Sequence, residues 1–362
     1  MPSLQTYRAL GLSSGSELDG LIASVIVTDG VDVFEMCGNF EFPFDDELRE
    51  NLQTLHKKYP DIDEDAKSRI EEQFTAFCIS SIQEILTSDS EINLLGFGGH
   101  IICHKPSEHI LCQIGNNEKI ARECHIKTVG RLRDADILAG GRGAPLAAIY
   151  HSALSQNISK PVVWVDVGGV SALTYIGHNG EMQAFDTGAG NAIINEWVNK
   201  HAHMQADYNG SLAISGHIHD DVLASLMRHK FLSQPPPKVA EKSTFDDKSE
   251  HLEGLSLEDG AATATAFVAD SIIKAINDFV AEQPQKVIIC GAGAKNPTLM
   301  RFLRQRSENM EICCAEDFGY SSQAIEAQAF AFLAVRRCNQ MPTSYPFTTG
   351  AAVEVIGGEV YI

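Results

Sequence analysis

The chain has 362 residues, which predicts two lobes, because a single hydrophobic core stops growing below this length. Apolar and charged contents of 44% and 21% are those of a folded globular protein. The formal charge of −20 disfavours nucleic acid as a partner, because phosphate backbones are bound by clustered Lys and Arg. No signal-peptide pattern and no apolar run near ~20 residues is present. The sequence therefore predicts a cytoplasmic protein with no membrane partner, and nine cysteines without a CxxC pair fit a reducing compartment.

The first motif is a strand, turn and strand from Thr6 to Val27, whose turn at residues 11–20 is rich in glycine and serine. Such a hairpin can bring main-chain N–H groups and hydroxyls against a phosphate, although an ordinary surface turn has the same composition. A third strand is predicted from Val31 to Phe42. Residues 45–90 are predicted to be helical, because apolar residues recur at helical spacing between positions 70 and 85.

Charged residues run directly into a triple-glycine turn in the text RLRDADILAGGRGAP at positions 131–145. Such a composition indicates a loop that binds something, and Arg133 or Arg142 could clamp an oxygen-rich ligand. An exposed arginine is the ordinary alternative for either residue alone.

The stretch 161–197 carries two turns with an aspartate beside each. A buried strand, the turn Gly168-Gly169 and a returning strand predict a hairpin with Asp166 at its end. The text FDTGAGN at 185–191 is interpreted as a glycine-rich loop entering a helix, which would expose unpaired N–H groups to an anion. Asp186, at the mouth of this loop, could hold a metal or take a proton.

The run QPPPK and the charged text that continues to residue 253 predict a long mobile loop. Helices are predicted at 259–280 and 322–337, and a strand from Lys286 to Cys290 leads through GAGAKN into another helix. Strand, GxG and helix suggest a dinucleotide loop, but Asn296 replaces the third glycine of GxGxxG. A small-residue loop that lies against an adenine explains the pattern equally well. No serine-hydrolase elbow, zincin or P-loop motif is present.

Taken together, the three glycine motifs resemble the sugar kinase, Hsp70 and actin superfamily, and more closely the anhydro-N-acetylmuramic acid kinase family. The resemblance extends from the first hairpin to the C-terminus. Its text includes LDG at 18–20, QIG at 113–115, GAPL at 143–146, FDTG at 185–188, PPK at 236–238 and TGA at 349–351.

The resemblance implies an α/β protein with the two-lobed, actin-like ATPase fold and a ligand cleft between the lobes. The first lobe would cover residues 1–135 and the second 136–362, with the extreme C-terminus packed on the first. The implied phosphate- and nucleotide-binding residues are Gly11, Ser14, Gly15, Ser16, Asp19, Gly20, Asp166, Gly168, Gly169, Gly291, Gly293 and Asn296. The implied sugar-binding residues are Arg133, Asp136, Arg142, Gly188 and Asn191.

The implied activity is that of a bacterial cell-wall recycling enzyme, which binds a 1,6-anhydro sugar and ATP, adds water across the anhydro bridge and phosphorylates O6. Asp186 would be the general base for the water that attacks C1. Mg²⁺, held through water by Asp166, and the N–H groups of both hairpins would stabilise the charge on the phosphoryl group. A homodimer is compatible with the resemblance, and the sequence does not decide the assembly.

Several positions depart from the family pattern, namely Glu17, Gly98, His100, Arg142, Ala172 and Asn195. Glu17 would repel phosphates unless it is turned away or acts through Mg²⁺. The changes leave two alternatives open. One is a kinase of another anhydro sugar, such as a glucose-derived one, and the other is a weakly active paralogue that binds nucleotide or sugar. The retained Asp186, Arg133 and Asp136 favour a working kinase, whereas Glu17 and Gly98 favour the paralogue.

Overall fold

The structure is a computed structural model that describes residues 4–15, 17–245 and 248–362. The strands, in chain order, are β1 (Tyr7–Ser14), β2 (Gly20–Thr28), β3 (Val33–Pro43), β4 (Leu94–Phe97), β5 (His100–Lys105), β6 (Ile110–Ile114), β7 (Thr128–Gly130), β8 (Val162–Val167), β9 (Val170–Ile176), β10 (Met182–Ala189), β11 (Lys286–Cys290), β12 (Glu311–Cys314) and β13 (Glu359–Tyr361). The α-helices are α1 (Asp46–Lys58), α2 (Glu64–Ser88), α3 (Asn117–Cys124), α4 (Asp134–Leu138), α5 (Ala148–Leu154), α6 (Asn191–Ala202), α7 (Asp220–Leu226), α8 (Leu257–Phe279), α9 (Pro297–Arg306), α10 (Ile325–Cys338) and α11 (Pro346–Thr349).

The chain divides into two compact units, and the first of them is discontinuous. The first unit combines residues 1–154 with 324–362, and the second consists of residues 155–323. This division differs from the boundary predicted near residue 135. The reason lies in pairing within the first unit, where Ser344 and Thr349 donate hydrogen bonds to the carboxylate of Asp136 and β13 pairs antiparallel with β7.

The first unit is built on a six-stranded sheet in the order β13-β7-β4-β1-β2-β3. Strands β1, β2 and β3 form an antiparallel meander, while β4 runs parallel to β1 and β7 parallel to β4. Leu10 and Leu12 belong to one buried cluster with residues of α1 and α2, so Gly11 between them faces the other side of the sheet. There a Cβ would clash with the carbonyl oxygen of Ala327, so glycine at this position lets α10 lie directly on β1.

The second unit is built on a five-stranded sheet in the order β10-β9-β8-β11-β12. Strands β8, β11 and β12 are parallel, and β8, β9 and β10 form an antiparallel meander. Its core includes Trp197 of α6 and Phe267 of α8, both completely buried. A Cβ at Gly260 would clash with the Trp197 ring, so this glycine permits close packing of α6 and α8. The α/β fold class predicted from the sequence is confirmed.

Two stretches differ from the interpretation of the sequence. Residues 182–189 form strand β10, because Phe185 and its neighbours pair with β9, so the interpretation of 185–191 as a loop is wrong up to residue 189. The interpretation of 234–253 as a long mobile loop is wrong for Lys238, which is 3% exposed. Strand β5, which the sequence did not predict, pairs with β6 in a separate two-stranded sheet. No helix in the described ranges is long and apolar enough to cross a membrane.

Candidate active site

The predicted first phosphate hairpin is the turn between β1 and β2. Ser14 ends β1, Gly15 and Asp19 are exposed in the turn, and Gly20 begins β2. Ser16 lies outside the described residues. Gly11 lies inside β1, where the lack of a side chain permits close packing against α10, and its phosphate contact stays a prediction. At Gly20 a Cβ would clash with the main chain of β3, so this glycine also serves strand pairing.

Three segments that the sequence singled out follow parallel strands at one edge of the first sheet. Ser14 lies at the carboxyl end of β1, Gly98 follows β4, and Arg133 lies three residues after β7. Open α/β sheets bind their ligands at this edge, outside the carboxyl ends of the strands. The first unit therefore places the predicted phosphate hairpin and the arginine loop (residues 131–145) at the same edge.

The arginine loop is organised around the carboxylate of Asp136. This side chain is completely buried and accepts hydrogen bonds from the Gly143 N–H at 2.7 Å and from the Ser344 and Thr349 hydroxyls at 2.5 Å. A Cβ at Gly141 would clash with the same carboxylate, so the glycine turn wraps around it. Asp136 therefore holds the loop together, and its sugar contact stays a prediction.

Arg133 and Arg142 are held by the same loop. Arg133 is 9% exposed, donates to the Gly143 carbonyl at 2.5 Å and lies over the Phe330 ring. Desolvation raises the pKa of Glu326 on α10, and the charge of Arg133 opposes this shift. The main-chain N–H of Arg142 donates to the Thr349 carbonyl at 2.9 Å, and this residue is half-buried. Sugar contact by either arginine stays a prediction.

The second predicted phosphate hairpin, Asp166 to Gly169, joins β8 to β9. Its carbonyls accept hydrogen bonds from the start of α6, since Asn191 N–H donates to Gly168 O at 2.8 Å and Gly190 N–H to Gly169 O at 2.9 Å. The Asn191 side chain also donates to the Val167 carbonyl at 3.2 Å. The expectation that these N–H groups are free for an anion is therefore wrong, and Asn191, predicted to bind sugar, ties the hairpin to α6.

The late glycine loop, at residues 291–296, lies beside this hairpin. Cys290, at the end of β11, pairs with Asp166 of the parallel β8, and Gly291 follows with a φ of 74°. A Cβ at Gly291 would clash with the Asp166 carboxylate, and a Cβ at Gly293 would clash with the Val167 side chain. Glycine at these positions lets the two loops approach each other closely at the carboxyl ends of neighbouring strands.

Asn296 ends the late loop. It was predicted to bind nucleotide, but its buried side-chain oxygen accepts hydrogen bonds from the N–H groups of Thr298 and Leu299, both at 3.0 Å. It therefore caps α9 in the way usual for asparagine before a helix. Gly188, predicted to contact sugar, lies within β10, where a Cβ would be 2.9 Å from the Ser271 hydroxyl oxygen of α8. This glycine permits close packing of β10 against α8, and its sugar contact stays a prediction.

Asp186 lies in β10 and points to the same face of the sheet as Asp166. Both residues pair with Ala172 of the intervening strand β9, so the two aspartates flank this small side chain. Residues that pair across strands share a face, and two strand spacings separate the aspartate backbones by about 10 Å. The register shifts immediately after Asp186, and such bulges re-aim side chains beside active sites.

The segment that contains Lys238 holds Asp186 from the edge of the sheet. The Asp186 N–H donates to the Lys238 carbonyl at 2.9 Å, and the Ala240 N–H donates to the Asp186 carboxylate at 2.8 Å. Asp186 is thereby 6% exposed and fixed at both its main chain and its side chain.

The ammonium group of Lys238 is buried among aromatic rings. It donates to the carbonyls of Phe231 at 3.1 Å and Leu232 at 3.3 Å and lies 4.5 Å from the centre of the Phe279 ring. Desolvation lowers the pKa of Lys238 to about 8, and the negative charge of Asp186 opposes this shift. A cation at this place stabilises a carboxylate on Asp186.

A family model described as anhydro-N-acetylmuramic acid kinase matches residues 7–362. The chain belongs to this family. Proteins named anhydro-N-acetylmuramic acid kinase are 35% identical in Methylobacterium nodulans, over 97% of this chain and 98% of the relative, and 36% identical in Rhodopseudomonas palustris (strain HaA2), with the same coverage. Component A of the (R)-2-hydroxyglutaryl-CoA dehydratase of Acidaminococcus fermentans aligns over 91% of this chain and 98% of its own, with 14% identity and a TM-score of 0.48. A similarity this low carries no argument about activity.

Sequence reasoning missed two residues of this anhydro-N-acetylmuramic acid kinase family member. Lys238 was noted only as part of the shared text PPK, and nothing in a proline-rich charged run indicates burial. His100 was noted only as a departure from the family pattern, yet its ring lies 2.9 Å from the Ser14 hydroxyl oxygen of the first hairpin. The signal for Lys238 was its place in the shared text, whereas His100 had none, because its contact spans 86 positions.

Proposed function

We propose that the chain opens the 1,6-anhydro ring of anhydro-N-acetylmuramic acid by hydrolysis and phosphorylates O6 with ATP, in peptidoglycan recycling. As a member of its family, the protein is an ATP-dependent sugar kinase. One observation carries the assignment of the chemistry, namely the position of Asp186. Its carboxylate is held by the Ala240 N–H, interacts electrostatically with the buried Lys238 and shares a sheet face with Asp166.

In the proposed reaction, Asp186 takes a proton from the water that attacks C1 of the sugar. The new C1–O bond forms as the C1–O6 bond breaks, and O6 attacks the γ-phosphorus of ATP, from which ADP leaves. A fixed carboxylate suits this role, because the water becomes acidic only as it attacks and because positioning supplies much of the rate. The two hydrogen bonds to the Asp186 segment provide that positioning.

The hairpins at residues 14–20 and 166–169 are proposed to bind the ATP phosphates, and the loop at 291–296 is proposed to lie against the adenosine. Asp166 is proposed to hold a magnesium ion, because its carboxylate lies at the carboxyl end of β8 and carboxylate oxygen is a preferred ligand of this ion. When bound, Mg²⁺ would neutralise charge on the phosphoryl oxygens. Asp166 would hold it through water.

On the sugar side, Arg133 and Arg142 are proposed to bind the substrate from the glycine loop that Asp136 organises.

A cytoplasmic location is proposed because the reaction consumes ATP. A homodimer is proposed with the first sheet as a candidate contact, since Phe34 is 57% exposed on its edge strand β3 and exposed edge strands favour pairing.

The test incubates the purified protein with Mg-ATP and, separately, 1,6-anhydro-N-acetylmuramic acid or 1,6-anhydroglucose, and measures ADP and sugar phosphate. The glucose-derived sugar is included because Arg142, in the glycine loop proposed to bind the sugar, departs from the family pattern. Asp186→Asn is expected to lower kcat by roughly 10²–10⁴-fold while nucleotide binding persists. An unchanged kcat in Asp186→Asn would refute the assignment of Asp186 as the base. If the unsubstituted protein binds nucleotide but phosphorylates neither sugar, it is the weakly active paralogue that binds nucleotide or sugar.

A matched control is Asp207→Asn in the same unit. The Asp207 carboxylate is also buried and accepts hydrogen bonds from two main-chain N–H groups, those of Leu212 and Ala213. Its loss is expected to lower stability without removing the chemistry. An equal loss of kcat in both variants would attribute the effect of Asp186→Asn to unfolding.

A further inference from the structure

Two histidines extend the first phosphate hairpin into the core of the first unit. The Ser14 hydroxyl oxygen lies 2.9 Å from Nδ1 of His100, and Nε2 of His100 lies 2.9 Å from Nε2 of His56. His100 is 1% exposed, and its ring packs against the Phe74 ring at a centroid distance of 5.5 Å. A hydroxyl and two imidazoles thus form one continuous hydrogen-bonded chain.

The local sequence explains why the three side chains meet. Strand β4 runs parallel to β1, and the turn Gly98-Gly99 at its end leads into β5, which begins with His100 beside Ser14. Gly99 has a φ of 68°, which favours glycine, and a Cβ at Gly98 would clash with the Phe330 ring. His56 comes from the last turn of α1. Both glycines are therefore needed to bring His100 to the hairpin.

The hydrogen-bonded chain restricts the protons it can carry. Two facing Nε2 atoms share one proton, because one must donate and the other must accept. When Nε2 of His100 is the donor and the ring is neutral, its Nδ1 accepts the proton of the Ser14 hydroxyl. When His56 donates instead, Nδ1 of a neutral His100 carries the proton and donates to the Ser14 oxygen. Only this second arrangement leaves the hydroxyl hydrogen of Ser14 free to point elsewhere.

We propose that His100, itself held by His56, is a positioning residue that directs the Ser14 hydroxyl toward the terminal phosphates of ATP. The inference rests on the proposed function, because that function makes the β1–β2 turn a phosphate hairpin. A serine whose oxygen accepts from His100 donates its own proton to a phosphoryl oxygen. A change of the Ser14 side-chain rotamer, which would move its oxygen away, is then opposed, because the buried ring N–H of His100 would lose its acceptor and this is costly.

Two substitutions at one position separate the two bonds of His100. The side-chain amide of asparagine occupies the place of Nδ1, so His100→Asn retains the hydrogen bond to Ser14. The side-chain amide of glutamine occupies the place of Nε2, so His100→Gln retains only the hydrogen bond to His56. The measurements are the dissociation constant of a non-hydrolysable ATP analogue, KM for ATP and kcat, each also in a Ser14→Ala background. The thermal unfolding midpoint of each variant reports folding.

His100→Gln is expected to raise the dissociation constant and KM by about fivefold, the effect of one lost hydrogen bond, while kcat changes less. His100→Asn is expected to stay within about twofold of the unsubstituted protein, and in the Ser14→Ala background His100→Gln is expected to add nothing. The inference is overturned if His100→Asn and His100→Gln raise the dissociation constant equally. It is also overturned if His100→Gln raises the dissociation constant as much in the Ser14→Ala background as in the unsubstituted protein.

A second variant covers the case in which the His100 substitutions unfold the protein. His56 is only half-buried at the end of its helix, so His56→Ala spares the core and is expected to weaken nucleotide binding in the same direction. Unchanged binding in His56→Ala overturns the inference. Absence of nucleotide binding by the unsubstituted protein overturns the proposed function itself, so the two failures are distinguishable.

Discussion

Replacement of the buried Lys238 by methionine tests how its charge affects the second unit. Burial lowers the pKa of Lys238 to about 8 from its usual 10.5, so the unfolded chain binds this proton more tightly than the folded one. Stability therefore rises with pH while the folded unit loses the proton and the unfolded chain keeps it. From about pH 7.5 to about pH 9.5, the difference between the two pKa values raises the free energy of unfolding by about 2 kcal/mol.

The assay is guanidinium unfolding followed by tryptophan fluorescence at the two pH values. Both tryptophans of the chain, Trp164 and Trp197, are buried in the second unit together with Lys238, so they report its unfolding. Lys238→Met retains the straight apolar side chain but lacks the proton, so its free energy of unfolding should lack the gain of about 2 kcal/mol. Lys230→Met, at an exposed position in the same unit, is the control and should retain it. The reasoning would be refuted if the free energy of unfolding changed by the same amount between the two pH values in the unsubstituted protein and in Lys238→Met.

Three predictions concern the first unit, and its stability can be followed by hydrogen exchange. Asp136→Asn should lower the free energy of unfolding by roughly 3 kcal/mol, because a buried carboxylate that accepts three hydrogen bonds is lost; a change below about 1 kcal/mol would contradict this. Gly11→Ala should prevent stable folding because its Cβ would clash with the main chain of Ala327, whereas Gly15→Ala, with open space around the Cβ, should be tolerated; equal thermal midpoints would contradict this. Burial lowers the pKa of His151 to about 3 from its usual 6.5. Below pH 6.5 the unfolded chain therefore takes up a proton that the folded protein does not, and the free energy of unfolding should be lower by about 3 kcal/mol near pH 4.5. His151→Leu should remove this loss, and an unchanged acid dependence would contradict the assignment.

Local patterns predicted most of the elements. Apolar residues at helical spacing located α2, and the apolar runs located β8 and β11, because burial of one face leaves a regular trace in the sequence. The glycine turn at 168–169 was also placed correctly between its strands. These features depend on residues that are close along the chain.

The errors involve contacts between distant segments. The text DTGAG has the composition of a loop, but pairing with β9 makes it a strand and fixes Asp186 on a sheet face. Lys238 is charged and follows three prolines, yet rings from Phe231 and Phe279 bury it. Gly11 and Asn296 were predicted from the family motif to bind phosphate and nucleotide; the structure adds helix packing at Gly11 and helix capping by Asn296, and ligand contact by either residue stays a prediction. Composition cannot distinguish a residue that binds from one that supports a binding loop.

The discontinuous first unit has a consequence for synthesis on the ribosome. Residues 155–323 emerge as one uninterrupted segment, so the second unit has its whole sequence available first. The sheet that begins with β1 lacks α10 and β13 until the last part of the chain is made, and its face at Gly11 stays uncovered during that time. Chains generally fold unit by unit as they emerge, and exposed apolar surface is what chaperones bind. Nascent chains that end before α10 are therefore expected to remain bound to chaperones.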